Sequence, residues 1–330
     1  MSLAAAPEPD VSVIIPTYNR AGLVARCITS LRAADAGRLE IIVVDDGGND
    51  DTDRVAREGG AVYLRQANAG PAAARNLGFA ASRGRYVAFI DSDDEWMTTG
   101  VGRLVAQLDA NPDIAVLFAD TSMGNDDDGY ASFVRTYGTE RFFALPYASR
   151  PGGVRVFERR PFFLQLSTRN VMFLGSMLIR RAFFASIDGF DPELRGAADW
   201  DFFMRSTAAG VVAYSDGTAV SKYYKHDEGM STNSDHMEED FIKALDSVRR
   251  RSPLDAVERA HVDERLRAHV FGWAWLAYEK GDFRTMRTRL KWASRLGQFH
   301  AREAVFLAAS YLPPSFVRAL RRARHGAAPS

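Results

Sequence analysis

The sequence predicts an α/β fold with a mostly parallel central sheet flanked by helices, followed by a helical extension. Two observations lead to this prediction. Short apolar runs of strand length alternate with helical segments over the first 120 residues, as in parallel sheets whose strands are joined by helices. Two of these runs stop abruptly at aspartates, at positions 45–46 and 91–94, which is where open α/β sheets place their ligands.

The elements can be predicted in order along the chain. Residues 11–15, VSVII, predict the first buried strand, and residues 86–90 form an unbroken apolar run that is typical of a strand covered on both faces. Leu23, Cys27 and Leu31 follow at a four-residue spacing and predict an amphipathic helix. The alternation continues with strands at 41–44, 62–64, 85–90, 114–118, 175–179, 211–214 and 219–224 and helices at 51–58, 71–83, 100–108 and from Asp199.

The regular pattern has two limits. Residues 120–169 are rich in Phe, Tyr and Arg and show no clear period, and beyond residue 235 the chain is helical in character. We therefore expect an α/β domain at residues 10–232, with a first half at 10–119 and a second half at 120–232. A helical region at 233–330 follows it.

The bulk composition is that of an ordinary globular protein. Of the 330 residues, 46% are hydrophobic and 25% are charged, and 42 basic side chains balance 42 acidic ones, so no nucleic-acid partner is indicated. The single cysteine excludes an internal disulfide and is typical of a reducing compartment. No signal peptide and no apolar run of about 20 residues is visible, so we expect a cytoplasmic protein.

The last thirty residues carry an excess of positive charge. In residues 301–330, five arginines and one glutamate are interleaved with apolar side chains. Two interpretations stay open. This basic amphipathic end makes a peripheral contact with the inner face of an anionic membrane, or it packs on the protein with a solvated basic face.

The acidic loop at 91–94 is the clearest candidate for a binding site. The apolar run that precedes it ends in Asp91, Asp93 and Asp94. Three carboxylates within four residues repel one another, but they are the ligands that Mg²⁺ or Mn²⁺ prefers, and such a cation would hold a diphosphate. The simpler alternative is a solvated acidic turn, which the buried strand before the loop makes less attractive.

The first strand argues against the common dinucleotide-binding fold. It leads into PTYNR at 16–20, with neither G-x-G-x-x-G nor a P-loop lysine. Any nucleotide would therefore be held through a metal and contacts to its base.

Five motifs occur in a fixed order: VSVIIPTYNR, IIVVDDGGNDDT, NAGPAAARNLGFAASRGRYVAFIDSDDEW, GSMLIRRAFFASIDGFDPEL and ADWDFFMR. With them, residues 10–232 resemble family 2 glycosyltransferases of the GT-A fold. The resemblance implies an inverting enzyme that uses a nucleotide diphosphate sugar of the UDP or dTDP type. It also implies that residues 10–119 bind the nucleotide and residues 120–232 the acceptor.

The resemblance assigns donor-binding roles to two loops. In similar enzymes the loop that matches Thr17, Tyr18 and Asn19 lines the nucleotide. The pair Asp45 and Asp46 would bind the base, with Asp46 accepting the ring N–H of uracil or thymine, since a carboxylate is only an acceptor. The alternative for this pair is a turn whose acids satisfy backbone N–H groups.

The resemblance also assigns the metal site. Asp93 would bind Mn²⁺ or Mg²⁺, Asp91 would contact ribose or the metal, and Asp94 would support the loop. His226 matches a histidine that joins the metal or the diphosphate in some relatives. Arg75 either reaches phosphate or forms a structural ion pair with an aspartate.

Asp199 matches the general base of the family, which would activate a hydroxyl of a glycan, lipid-linked or small-molecule acceptor. Many members have Glu-Asp at this place, whereas this chain has Ala198 before Asp199, which weakens inference about the acceptor. Asp201 is a rival base, but at two residues along a helix it faces away. The Q-x-x-R-W signature of processive members is absent, which favours transfer of one or a few sugars in polysaccharide or glycoconjugate biosynthesis.

Three other functions are possible for such a chain. A catalytically silent member of the same fold would bind sugar nucleotides or act as a scaffold, and the intact aspartates argue against it. A nucleotidyltransferase would need a phosphate loop rich in glycine and arginine after the first strand. A glycosidase also uses paired carboxylates but has no need of acidic ends on two neighbouring strands.

Overall fold

The structure is a computed structural model of the 330-residue chain, and it describes residues 8–125, 129–138, 140–224, 234–295 and 301–311. The chain forms two compact units. The first comprises Met1–Thr232 with Arg251–Pro253, and the second comprises Asn233–Arg250 with Leu254–Ser330.

The first unit has thirteen strands among its described residues, and eight of them overlap the strands predicted from the sequence. They are β1 Val11–Thr17, β2 Leu39–Asp45, β3 Val62–Arg65, β4 Tyr86–Phe89, β5 Glu95–Trp96, β6 Ile114–Phe118, β7 Thr121–Asn125, β8 Gly129–Ser132, β9 Tyr147–Arg150, β10 Val154–Phe157, β11 Met177–Arg180, β12 Val211–Ser215 and β13 Ser221–Tyr224.

The helices of this unit alternate with those strands. They are α1 Ala21–Ala33, α2 Thr52–Glu58, α3 Pro71–Ala81, α4 Val101–Ala110, α5 Phe133–Tyr137, α6 Glu140–Phe143, α7 Arg159–Thr168, α8 Arg181–Ser186 and α9 Ala198–Ala209, with a 3₁₀ turn at Leu174–Ser176. The predicted α/β fold with a central sheet flanked by helices is confirmed.

The central sheet has nine strands in the order β3-β2-β1-β4-β11-β6-β12-β10-β9. Seven of them point the same way, and β10 and β11 run against the rest. The four strands β3-β2-β1-β4 are paired entirely in parallel, and their carboxyl ends therefore lie along one edge. Two of these strands, β2 and β4, carry the aspartates at or just after these ends.

Residues 120–169, which showed no clear period, contain regular structure. Strands β7 and β8 join β5 and β13 in a second sheet of four strands, ordered β5-β13-β7-β8. These strands are short, and some of them alternate only weakly between apolar and polar residues. The hydrophobic period of the sequence therefore did not reveal them. This sheet brings Tyr224, at the end of β13, next to the acidic loop that follows β4.

Helix α3 approaches the sheet closely at Gly78. A methyl group at this position would lie 2.4 Å from Cγ2 of Ile14 on β1. The backbone of α3 therefore lies against the Ile14 side chain so closely that no side chain larger than that of glycine fits at position 78. The contact keeps α3, which carries Arg75 three residues before Gly78, against β1.

The second unit is helical in its described part. Its helices are α10 Ser234–Arg251, α11 Ala256–Glu279, α12 Phe283–Arg295 and α13 Ala301–Ala309. Asp255 caps α11 in a reciprocal arrangement with Glu258, and α11 packs on α12 through a small apolar cluster. Along the described ranges of the chain, none of the helices combines the length and the apolar character that crossing a bilayer requires.

Substitution of Gly78 tests the contact between α3 and β1. Gly78→Ala should lower the free energy of unfolding by about 1–3 kcal/mol because the new methyl group overpacks the site, although alanine is the better helix former. Urea unfolding followed by circular dichroism measures the change. Gly22→Ala on α1 is the matched control, since a methyl group there meets nothing within 4 Å. A Gly78→Ala protein as stable as the control would contradict this packing.

Candidate active site

The loop after β4 gathers three carboxylates. One oxygen from each of Asp91, Asp93 and Asp94 lies within 4.8 Å of the others, and the loop turns through a hydrogen bond from the Asp94 N–H to the Asp91 carbonyl (3.0 Å). Asp91 and Asp93 are half-buried, whereas Asp94 is only 2% exposed. The cluster is therefore a set of hard oxygen ligands at the edge of the sheet.

Asp94 is the most buried of the three carboxylates. The backbone N–H of Tyr224 donates to its carboxylate, but its Oδ1 is buried without a hydrogen-bond partner. Burial, together with the charges of Asp91 and Asp93, raises the pKa of Asp94 well above its ordinary value. A buried acceptor without a donor, beside two further carboxylates, fits a divalent cation. Asp94 thus joins the candidate ligands, which its place in the sequence alone did not indicate.

Two arginines neutralise the outer carboxylates. Arg20 Nη1 lies 2.6 Å from Asp93 Oδ2, and Arg75 Nη2 lies 2.5 Å from Asp91 Oδ1. The sequence left two roles open for Arg75, a contact with phosphate and an ion pair with an aspartate. In this structure Arg75 forms the ion pair with Asp91. Arg20 was missed; the available signal was its place directly after the first predicted strand, which faces the same edge of the sheet.

A third arginine lies on the outer side of the loop. Arg26 on α1 donates to the Asp93 carbonyl (2.8 Å), pairs with Glu95 (2.7 Å) and lies over the Tyr224 ring. These contacts tie the loop to α1 and to β13. The shape of the loop therefore depends on both sheets.

The two aspartates after β2 are hydrogen-bonded within the protein. Asp45 accepts from the Gly48 N–H (2.7 Å) and from the Tyr63 hydroxyl (2.8 Å). Asp46 accepts from the N–H groups of Ala69 and Gly70, at 2.8 Å each, and also from the Gln66 side chain. Both are buried. This arrangement agrees with the alternative interpretation of the pair, a turn whose acids satisfy backbone N–H groups. A contact of Asp46 with a base stays a prediction.

The loop after β1 lies beside these aspartates. Asn19 has a positive φ of 53°, and its Oδ1 accepts from the Asn49 N–H (2.6 Å), which joins the first loop to the second. Thr17 is buried and its hydroxyl has no hydrogen-bond partner among the described residues, while Tyr18 is 48% exposed. The loop thus presents a buried hydroxyl and an open aromatic ring.

Asp199 lies in the first turn of α9 and is half-buried. Its Oδ1 accepts from the Trp200 N–H (2.7 Å). Burial raises the pKa of Asp199, and the Asp91 charge adds to this, whereas the Arg75 guanidinium lowers it. Asp199, Arg75 and Asp91 are therefore one electrostatic group, although they come from three separate elements.

Asp201 has a different role. It is fully buried and pairs with Arg205 at 2.7 Å, and Arg205 also donates to the carbonyls of Ile187 and Gly189. The expectation that it faces away from Asp199 agrees with this geometry. Through Arg205, Asp201 holds the turn that follows α8.

His226, the other predicted metal ligand, lies outside the described residues, which end at 224 and resume at 234. Of the basic end at 301–330, only residues 301–311 are described.

A family model described as glycosyl transferase family 2 matches residues 12–173. An uncharacterized glycosyltransferase of Rickettsia felis is 42% identical over 91 residues, which is 26% of this chain and 15% of that protein. The succinoglycan biosynthesis protein ExoO of Rhizobium meliloti is 27% identical over 269 residues, 78% of this chain and 73% of ExoO. The chain thus spans a small part of some relatives and most of others.

Solved structures share the fold. TarS of S. aureus, in complex with UDP-GlcNAc, has a TM-score of 0.61 at 20% identity, covering 94% of this chain and 87% of that one. The mannosyltransferase PcManGT of Pyrobaculum calidifontis, in complex with GDP-Man and Mn²⁺, has a TM-score of 0.54 at 16% identity, covering 92% and 79%. At these identities the likeness concerns the fold alone.

Removal of the Asp201 carboxylate should destabilise the protein without involving the candidate site. Asp201→Ala leaves the Arg205 guanidinium buried without its counter-ion, and we expect the free energy of unfolding to fall by about 3–5 kcal/mol. Urea unfolding measures this, with Asp199→Asn on the same helix as the control. An Asp201→Ala protein as stable as the wild type would mean that the ion pair is not structural.

The raised pKa of Asp199 predicts a dependence of stability on pH. A carboxyl whose pKa is higher in the folded protein costs stability once it is charged, so its cost appears as pH rises through that pKa. Asp199→Asn removes the charge and keeps the acceptor for the Trp200 N–H. Its thermal unfolding midpoint should exceed that of the wild type at about pH 7.5, and the two should converge near about pH 3. A lower midpoint at neutral pH would mean that Arg75 outweighs burial.

Proposed function

Because a family model described as glycosyl transferase family 2 matches residues 12–173, we propose that the chain is a metal-dependent, inverting glycosyltransferase that moves a sugar from a nucleotide diphosphate to an acceptor hydroxyl. The observation that carries the proposal is the cluster of Asp91, Asp93 and Asp94 at the sheet edge, with one buried oxygen that has no hydrogen-bond partner among the described residues. Asp199, on another element, is electrostatically linked to it.

The metal would be held by the three carboxylates of that cluster. When bound, a divalent cation supplies Lewis-acid neutralisation of the charge that develops on a leaving diphosphate. The hard oxygen donors are typical of Mg²⁺ or Mn²⁺, and the Mn²⁺ of the PcManGT complex is consistent with this choice. His226 is a further proposed ligand or diphosphate contact.

Asp199 would act as the general base. Its Oδ1 is engaged by the Trp200 N–H, which leaves Oδ2 to take the proton of the acceptor hydroxyl. The deprotonated oxygen attacks the anomeric carbon from the face opposite the diphosphate, and the bond to the phosphate oxygen breaks with its electron pair, so the anomeric centre inverts. The raised pKa of Asp199 suits this task because a base works best with a pKa near the operating pH.

Arg75 would offset the repulsion between the negative charges of Asp91 and Asp199. It pairs with Asp91 and its charge lowers the pKa of Asp199. The charge of Arg75 thus opposes the effect of burial and favours the ionised form of Asp199 that a base needs. A contact of Arg75 with the diphosphate, the second role considered for it, stays part of the proposal.

The donor nucleotide would lie over the loops after β1 and β2. The open ring of Tyr18 suits stacking with a base, and the unpartnered Thr17 hydroxyl suits a hydrogen bond. Asn19 and Asp45 would hold the shape of these loops. Asp46 has one oxygen with a single N–H donor, which leaves a lone pair for the ring N–H of uracil or thymine.

The acceptor would be a hydroxyl of a glycan, a lipid-linked carrier or a small molecule. The role of ExoO in succinoglycan biosynthesis supports a place in polysaccharide or glycoconjugate synthesis. Peripheral contact of residues 301–330 with a membrane belongs to this proposal as the way to reach a lipid-linked acceptor.

Thermal unfolding with nucleotides tests the proposal. UDP, dTDP, GDP and their sugars are added with and without Mn²⁺, since a ligand of the folded state raises the unfolding midpoint. We expect one nucleotide to raise it only with Mn²⁺. Asp93→Asn should abolish that rise, and Asp199→Asn should keep it while reducing sugar transfer by about 10²–10⁴-fold.

The same unfolding measurements distinguish an active glycosyltransferase from a catalytically silent member of the fold. If no nucleotide shifts the midpoint of well-folded protein, the chain is a silent member of the fold. If Asp199→Asn transfers sugar at the wild-type rate, the general base is another residue.

A further inference from the structure

The carboxylates proposed to hold the metal already have cations beside them. Arg20 pairs with Asp93 and Arg75 pairs with Asp91, whereas the buried Asp94 oxygen has no donor among the described residues. In this arrangement two of the three candidate ligands are neutralised by the chain itself. A divalent cation that approaches Asp93 therefore meets the positive charge of Arg20 at the same carboxylate.

The two arginines are held to different degrees. The Arg75 side chain is 8% exposed, comes from α3 and lies over the Phe190 ring at 5.5 Å, so it is fixed. The Arg20 side chain is 40% exposed and begins at the residue before α1. Within the described ranges of the chain, Asp93 is the polar group that its guanidinium contacts. Arg20 is thus the arginine that is able to leave the cluster.

We propose that Arg20 is an internal counter-ion that competes with the divalent cation for Asp93 and so couples metal binding to donor binding. Without a donor, its guanidinium stays on Asp93 and weakens metal binding by like-charge repulsion. When a nucleoside diphosphate arrives, its phosphate oxygens offer Arg20 a stronger anionic partner. The guanidinium moves from the carboxylate to the phosphate, and the cation takes its place. This inference rests on the proposed function.

The coupling has a functional consequence. Because the effect of one ligand on the affinity of another is reciprocal, a nucleotide that removes Arg20 from Asp93 tightens the metal, and the metal tightens the nucleotide equally. The metal ion and the nucleotide are then bound together only when the donor is present. The acidic cluster is meanwhile not left as a set of unpaired, half-buried charges.

Binding of Mn²⁺ to the full chain tests the inference. The Mn²⁺ affinity is measured by the electron paramagnetic resonance signal of the free ion, without nucleotide and then with UDP. Arg20→Met should bind Mn²⁺ about tenfold more tightly than the wild type without nucleotide, the effect of one positive charge about 5 Å from a divalent ion in a high dielectric. The further gain that UDP brings should be correspondingly smaller than in the wild type.

Three matched variants make the result specific. Arg20→Lys keeps the charge and should retain the weak binding of the wild type. Arg32→Met removes an arginine from the far end of α1, where the guanidinium donates to the Gly60 carbonyl, and should leave the Mn²⁺ affinity unchanged. Asp93→Asn should lose Mn²⁺ binding. Circular dichroism of each variant confirms that it is folded.

The outcomes separate this inference from the proposed function. If Asp93→Asn loses Mn²⁺ binding but Arg20→Met binds as the wild type or more weakly, Arg20 is no competitor and the metal site still stands. If Arg20→Lys binds as tightly as Arg20→Met, charge is not the cause and the inference is overturned. If neither the wild type nor Arg20→Met binds Mn²⁺, both the metal site and the inference are wrong.

Discussion

The parallel ladder of β2, β1 and β4 is the constraint on which the candidate site depends. Strand β1 pairs along its length with β2, Thr17 opposite Asp45, and its other edge pairs with β4. The hydrogen bonds continue past the strands, from the Asp46 N–H to the Thr17 carbonyl and from the Ile90 N–H to the Ile14 carbonyl. Since all three strands leave the sheet at one edge, their loops are forced together, and each loop carries polar side chains there.

The balance of charge at this edge follows from that constraint. Asp91, Asp93, Asp94 and Asp199 are brought close together, and burial of so many carboxylates is costly unless cations accompany them. Arg20 and Arg75 supply two, but the raised pKa values of Asp94 and Asp199 indicate that compensation is incomplete. A cluster that is short of positive charge suits the divalent cation that we propose for it, and its uncompensated charges cost the folded protein stability.

Sequence analysis predicted the β–α order and the central sheet because long apolar runs and helical periods are properties of consecutive residues. It did not predict the second sheet, whose strands are short and pair across distant segments, β7 with β13 for example. It named Asp91 and Asp93 but assigned Asp94 to support. The backbone N–H that donates to Asp94 belongs to Tyr224, more than a hundred residues later in the chain.

By itself the sequence determined the fold class, the family resemblance and the residue types at the strand ends, since these are written in local patterns and in the order of motifs. Only the tertiary structure decided which charges meet. Arg20 lies 73 positions from Asp93, and the electrostatic group of Asp199, Arg75 and Asp91 joins a helix start, a helix turn and a loop. Ion pairing depends on distances of a few ångströms in space, and the separation of two residues along the chain does not predict those distances.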